Sequence, residues 1–172
     1  ELLVDAINGN LANVLGNLVN RTIGMANKYF DGIIENKNIN EELDTEFKEY
    51  VVSRKAVIDE KMNNLRVADA LEEVIDIFRR CNKYIDETMP WVLAKDETKQ
   101  DRLKEVLYNL VESIRIGTVL LQTYLPDTSR KIFEQINTNY VNFDTLDKFG
   151  YYESGSKIGK AEVLFQRIDT NK

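Results

Sequence analysis

Apolar residues recur at three- and four-residue intervals over most of this chain, a spacing that predicts helices rather than strands. In the stretch Asn10 to Gly32, NLANVLGNLVNRTIGMANKYFDG, the residues Leu11, Val14/Leu15, Leu18, Thr22, Met25 and Tyr29 form one stripe suited to burial. A second helix follows the Asp31-Gly32 turn, with Leu43, Phe47, Val51, Ile58, Met62 and Leu65 as its apolar side. Asn40 reads as its N-cap, with Glu41 and Glu42 in the positively polarised first turn. Asn63-Asn64 marks a break before a third helix, from about Val67 to Glu87, which carries Val67, Leu71, Val74/Ile75, Phe78, Cys81 and Ile85 on one side. Pro90 ends that helix and restrains Met89 to extended geometry. A fourth helix starts at Asp96 or Asp101 and runs to about Tyr124 through Leu103, Val106/Leu107, Leu110/Val111, Ile114 and Leu121; Gly117 within it points to close approach of another helix. Pro126 stops it, and Asp127 caps a short fifth helix through Ile136. Beyond Asn137 the period fades, and Phe143, Leu146, Phe149 and Leu164/Phe165 are expected to pack this tail over the rest. The prediction is all-α: an antiparallel bundle of four long helices and a short fifth in residues 1–136, with an irregular C-terminal extension in 137–172.

The other face of the first helix is unusual. Asn13, Asn17, Asn20/Arg21, Gly24 and Lys28 share a side, and no acid occurs between residues 6 and 30 although the chain has 29. Asparagine is a poor helix former, so a row of them lowers stability unless the face has a use. Any single one reads as a partner for a neighbouring helix or a loop cap. The row as a whole, amides and a guanidinium without a competing carboxylate, presents the groups that read base edges and phosphates. A second point of interest is Thr88 to Lys95, TMPWVLAK, which holds the only tryptophan, Trp91, with Lys83 and Lys95 nearby. A tryptophan beside a helix end is more often a core plug; the alternative is a platform on which an unpaired base stacks.

Composition narrows the chemistry. The net charge of −6 argues against a general, charge-driven nucleic-acid binder. The charge is uneven, however: Glu35 to Glu49 holds six acids against Lys37 and Lys48, whereas the first helix holds only Arg21 and Lys28. There is no histidine and a single cysteine, which removes Ser-His-Asp and Cys-His arrangements, His-ligated zinc and any internal disulfide. Cys81 falls in register with the third helix's apolar side and reads as a small core residue; a lone thiol fits a reducing, cytoplasmic setting. The acids Glu72, Glu73 and Asp76 read as a solvated face rather than catalytic carboxylates. No catalytic and no metal-binding residue is assigned. No apolar run approaches the ~20 residues of a membrane span, and the opening ELLVDAINGN is no signal peptide. The missing initiator methionine points to a piece of a longer chain. Pattern and composition stop at a helical binding module, with a docking module for a partner protein as the competing reading.

The residues themselves reach further. GNLVNRTIGMANKYFDG, CNKYIDETMPWVLAKDE and LYNLVESIRIGTVLLQTYLPDTSRKI, in that order, resemble the anticodon-binding domain of methionyl-tRNA synthetases over about Asn10 to Asp169. The leucine-rich run before Pro126-Asp127 recurs in related synthetases, so the anticodon domain of a sister class I enzyme is the nearest alternative. Asn17, Arg21, KYFDG and Pro90-Trp91 together are more particular to the methionine enzyme. The resemblance implies that Trp91 stacks on a base of the CAU anticodon and that Asn17 and Arg21 hydrogen-bond anticodon bases or backbone. It further implies that Pro90 sets the tryptophan's approach. Asn13 and Lys28 on the polar row, and Lys95 after Trp91, are expected to add supporting RNA contacts. The implied partners are the tRNA(Met) anticodon stem-loop and the catalytic domain of the parent chain. The parent is expected to use ATP and Mg, this stretch no cofactor, and the stretch alone is expected to be a monomer away from membranes. The tail SGSKIGKAEVLFQRID resembles the family's closing segment, but has Ala161, Val163 and Gln166 where prolines are frequent, which leaves the path of residues 155–169 open. Neither a HIGH-type nor a KMSKS-type catalytic signature is present in the sequence, so this stretch is not expected to activate methionine by itself.

Overall fold

A computed structural model describes residue 9 and residues 11–159. The first helix enters through a π-helical turn, Ala12–Gly16, and continues as α1, Asn17–Phe30. Leu11, Leu15, Leu18, Val19, Thr22, Ile23 and Ala26 are buried, while Met25 and Tyr29 are only half-buried. The helix ends at Asp31, in the left-handed region, where the N–H groups of Asp31 and Gly32 both turn back to the Ala26 carbonyl. The chain then leads into β1, Ile33–Ile34.

Helices α2 (Glu42–Asn63) and α3 (Val67–Thr88) pack as a hairpin across the break expected at Asn63-Asn64. Phe47, Val51 and Ile58 of α2 are buried, but Leu65 falls in the turn and is 87% exposed, so it is not part of the apolar side. Val67, in the first turn of α3, is likewise exposed. The N-cap of α2 is Glu41, not Asn40: Glu41 and Asp44 form a reciprocal capping box, with the Glu41 N–H on the Asp44 carboxylate at 3.0 Å. Asn40 bonds instead to the side chains of Thr45 and Lys48. Glu72, Glu73 and Asp76 are held in ion pairs with Arg54, Lys61 and Arg79. Cys81 is fully buried, and burial pushes its thiol pKa up.

After α3 comes a one-turn helix, α4 (Pro90–Leu93), and a 3-10 turn, Glu97–Lys99, capped by Asp96. The long helix α5 then runs from Gln100 to Leu121. It lies at the centre of the molecule, with Leu103, Val106, Leu110, Ile114 and Leu121 all buried. Gly117 sits against α3: a Cβ there would stand 2.6 Å from the Phe78 ring. Helix α6 spans Pro126–Ile136, with Pro126 as its first residue and Leu125 as N-cap. Asp127 therefore occupies the first turn rather than the cap, where its charge favours the helix dipole.

The helix α5 also carries polar residues that are almost fully buried, and these hold the irregular segments. Glu105 accepts the backbone N–H groups of Lys37 and Ile39. Glu112 accepts those of Gly150, Tyr151 and Tyr152, at 2.6, 2.7 and 3.3 Å. Arg115, paired with Glu112, donates to the carbonyls of Tyr140 and Thr145, both at 3.0 Å. Residues 137–159 are thus held on the bundle by charge-assisted bonds as much as by apolar contact. Leu146, Tyr152 and Ile158 are buried and Phe149 packs partly, but Phe143 is 45% exposed and does not anchor the tail. Leu164/Phe165 lie outside the described residues. The tail closes on α1 through β2, Ser156–Lys157, antiparallel to β1, with Ile33 opposite Lys157. Strands this short leave no alternation to read.

Candidate nucleic-acid interface

The polar row of α1 is a surface. Asn13, Asn17, Asn20, Arg21, Gly24 and Lys28 are all exposed, because burial of the opposite stripe turns them outward together.

The Trp91 turn is rigidly built. Helix α3 ends with Met89 in the left-handed region (φ 48°), its N–H on the Ile85 carbonyl at 2.9 Å, so Met89 is not extended. Proline disfavours right-handed helix in the residue before it, and the left-handed cap satisfies that restriction while reversing the chain more sharply than a strand conformation would. Pro90 is buried as the first residue of α4, a position where its missing N–H leaves nothing unsatisfied. The backbone N–H groups of Val92, Leu93, Ala94, Lys95 and Asp96 all bond within the turn. Leu93 packs on the core and Gln100 reaches back to the Asp96 carbonyl at 3.0 Å. Anchored in this way, the turn leaves Trp91 43% exposed, with Met89 and Val92 exposed beside it. Trp91 is therefore not a core plug.

The two features meet in an open cleft of about 430 Å³, lined by Asn20, Arg21, Gly24, Met25, Lys28 and Tyr29 of α1 and by Trp91. Arg21, Lys28 and Trp91 are brought together there. Asn13 and Asn17 share the exposed side of the first helix but do not line the cleft, and neither does the exposed Lys95. Pro90 acts from beneath, by fixing the start of α4. Spacing alone puts Met25 and Tyr29 in the buried stripe, yet they form the cleft wall. Their positions four residues beyond Arg21 and Met25 respectively put them at the edge of that stripe, which is the signal that marks a border residue. Sequence reasoning also missed Asp86 on α3, whose carboxylate lies 4.0 Å from the Arg21 guanidinium; both side chains are exposed.

This arrangement offers an aromatic face, two cations and one amide, Asn20, in one concave surface. It can hold a flat ring by stacking and an anion by charge. A larger hollow of about 490 Å³ lies by α6, between Arg130, Phe133 and Val141, and gathers none of the candidate RNA-contact residues named from the sequence. Among the described residues no group of three or more acids and cysteines is placed to hold a metal ion, and no helix is long and apolar enough to cross a membrane.

Residues 35–172 match the family described as the anticodon binding domain of methionyl tRNA ligase. The match includes Pro90 and Trp91 and begins downstream of α1. The chain is 46% identical over 172 residues to the methionine–tRNA ligase of Clostridium acetobutylicum, covering 100% of this chain and 27% of that protein. It is 41% identical over 176 residues to that of Bacillus subtilis, covering 100% of this chain and 26% of that protein. In both alignments α1 is included. Among solved structures, the methionyl-tRNA synthetase of Mycobacterium tuberculosis in complex with methionyl-adenylate superposes with a TM-score of 0.87 at 27% identity, over 95% of this chain and 33% of that one. The chain thus spans about a quarter of the length of the relatives it matches.

Proposed function

This chain belongs to the family of methionyl-tRNA ligase anticodon-binding domains, and from that premise we propose that the cleft between α1 and Trp91 captures the CAU anticodon of a methionine tRNA. A base leaves the loop's own stack and lies on the Trp91 indole. Arg21 reads a polar base edge or holds a phosphate inside the cleft, and Asn17, one turn earlier, discriminates from the cleft's end. Lys28, Asn13 and Lys95 add contacts to the RNA backbone around it. A base–aromatic stack contributes about 1–3 kcal/mol, and a bidentate base contact a similar amount. Anticodon capture by this domain then helps direct the acceptor end of the tRNA to the catalytic domain of a methionine–tRNA ligase in the cytoplasm. The ATP and Mg²⁺ of that reaction belong with the catalytic domain.

The observation that carries this reading is the convergence of Trp91, Arg21 and Lys28 on one exposed cleft whose floor on α1 has no acid. The test is intrinsic fluorescence. Trp91 is the only tryptophan, so its emission reports on the site alone. A stem-loop carrying CAU, titrated at fixed salt, is expected to quench it, and one with the first anticodon base changed to quench it far less. Equal quenching by both would refute anticodon discrimination. A response that does not weaken with salt would refute phosphate contacts and favour a protein partner.

A further inference from the structure

Gly24 lines the α1–Trp91 cleft, and the fold supplies no reason for a glycine there. Glycine inside a helix is destabilising relative to alanine, because it loses more backbone freedom and packs no side chain. At Gly117 the reason for a glycine is plain, since an added Cβ would stand 2.6 Å from the Phe78 ring. At Gly24 an added Cβ would meet nothing within 4 Å. Backbone conformation supplies no reason either: Gly24 lies in the regular middle of α1, whereas the described glycines with positive φ are Gly32, Gly150 and Gly155. Neither packing nor conformation calls for a glycine at this position. What distinguishes it is location. Gly24 stands three residues after Arg21 and four before Lys28 on one exposed helix face, and all three line the cleft with Trp91.

We infer that Gly24 is a positioning residue of the RNA site: its missing side chain leaves the α1 backbone bare, so that the ribose–phosphate of an unpaired nucleotide seats on the helix between Arg21 and Lys28 while its base reaches Trp91. This rests on the anticodon reading of the cleft. Any side chain at 24 would project into the cleft and lift the nucleotide off the helix. Both cations would then be held away from the phosphate, and the base would be displaced from the indole. The stability forgone by a mid-helix glycine is thus exchanged for close approach.

The test uses Gly24→Ala and Gly24→Leu in the 172-residue chain, both better helix formers than glycine, so that weaker binding is not a failure of folding. Thermal unfolding, Kd for the CAU stem-loop by Trp91 fluorescence, and the salt dependence of Kd are measured together. Tm is expected to rise by about 2–4 °C in each variant. Kd is expected to weaken in order of side-chain size, by roughly tenfold or more for leucine, the scale of removing a single RNA-binding group. The slope of log Kd against log salt should become shallower by about 0.7 for each phosphate that the protein no longer neutralises. If the unsubstituted chain binds and both variants bind within roughly twofold of it, where 1.4 kcal/mol would have given tenfold, this inference is overturned while the anticodon reading stands. Weakened binding with an unchanged salt slope also overturns it, because the seated group is then not a phosphate. If the unsubstituted chain does not bind the stem-loop, the anticodon reading and this inference fall together.

Discussion

Arg102 of α5 donates to the buried carboxylate of Asp44 in the first turn of α2, at 2.5 and 3.0 Å. The same carboxylate accepts the Tyr84 hydroxyl of α3 at 2.5 Å and the Glu41 N–H at 3.0 Å. One acid thus ties three helices and caps one of them. Burial alone would raise its pKa; the bonds from Arg102, Tyr84 and the Glu41 N–H outweigh burial and hold it below the ordinary value of 3.8. Because the folded value lies below the unfolded one, the stabilisation is complete above pH ~4 and is lost as pH falls through the folded value. Asp44→Asn is expected to destabilise the chain by about 3 kcal/mol at neutral pH, since it leaves Arg102 buried beside a neutral amide. In urea unfolding at several pH values, the gap between the two proteins should narrow below pH ~4. A gap that is constant at every pH would rule out this linkage.

Trp91→Ala should separate recognition from folding. With the residue 43% exposed, its removal should move Tm by only about 2 °C or less. Affinity for the CAU stem-loop should fall roughly 5- to 150-fold, the range spanned by one base–aromatic stack. Binding would be followed by anisotropy of a labelled RNA, because the intrinsic probe is gone. Loss of cooperative unfolding would instead mean that the indole supports the core.

Substitutions at Arg21 distinguish charge from shape. Its ion pair with Asp86 is exposed at both ends and 4.0 Å long, so Arg21→Gln should leave stability almost unchanged. Arg21→Lys keeps the charge but loses the planar fork. If the fork reads a base edge, the lysine variant should keep the salt dependence and lose most of the preference for the first anticodon base. A lysine variant with full discrimination would reduce Arg21 to a phosphate contact.

Arg115→Met leaves the fully buried Glu112 without its cation and frees the carbonyls of Tyr140 and Thr145. The expected destabilisation is about 3–5 kcal/mol. It should be regional at first: hydrogen exchange across residues 138–152 should accelerate more than exchange in α2 and α3. Uniform acceleration along the chain would show that the segment and the bundle open only together.

Gly117→Ala tests the α3–α5 contact. The added methyl group would meet the Phe78 ring at 2.6 Å in a filled core, so a loss of about 1–3 kcal/mol is expected in denaturant unfolding. A neutral result would mean that the Phe78 ring moves aside without penalty.

The periodic helices were legible because each must bury an apolar stripe, and a stripe is a local pattern. Leu18, Phe47, Phe78 and Ile114 lie on the sides that their spacing assigned. The exposed row from Asn13 to Lys28 was legible for the same reason, as the complement of a buried stripe on one helix. The helix ends were less so. Asn40 and Asp127 are good capping residues by type, but Glu41 holds the α2 cap because Arg102 and Tyr84, distant in sequence, pull Asp44 into place. Met89 turns left-handed where a local rule gave a strand conformation, because a helix end and a proline restrict it together.

By itself the sequence determined the all-α class, the approximate helices, the buried Cys81 and the polar face of α1, all of which depend on neighbours within a few turns. Only the tertiary structure decided what that face confronts. The cleft exists because a buried proline and a left-handed residue carry Trp91 back toward α1, and because Met25 and Tyr29 lie at the edge of the core rather than in it. It likewise decided that Glu105, Glu112 and Arg115 face inward, since a charged residue on a helix reads as solvated until irregular backbone from elsewhere in the chain arrives to satisfy it. The spacing of residues along one helix records which side is buried, but not which distant segment will cover it.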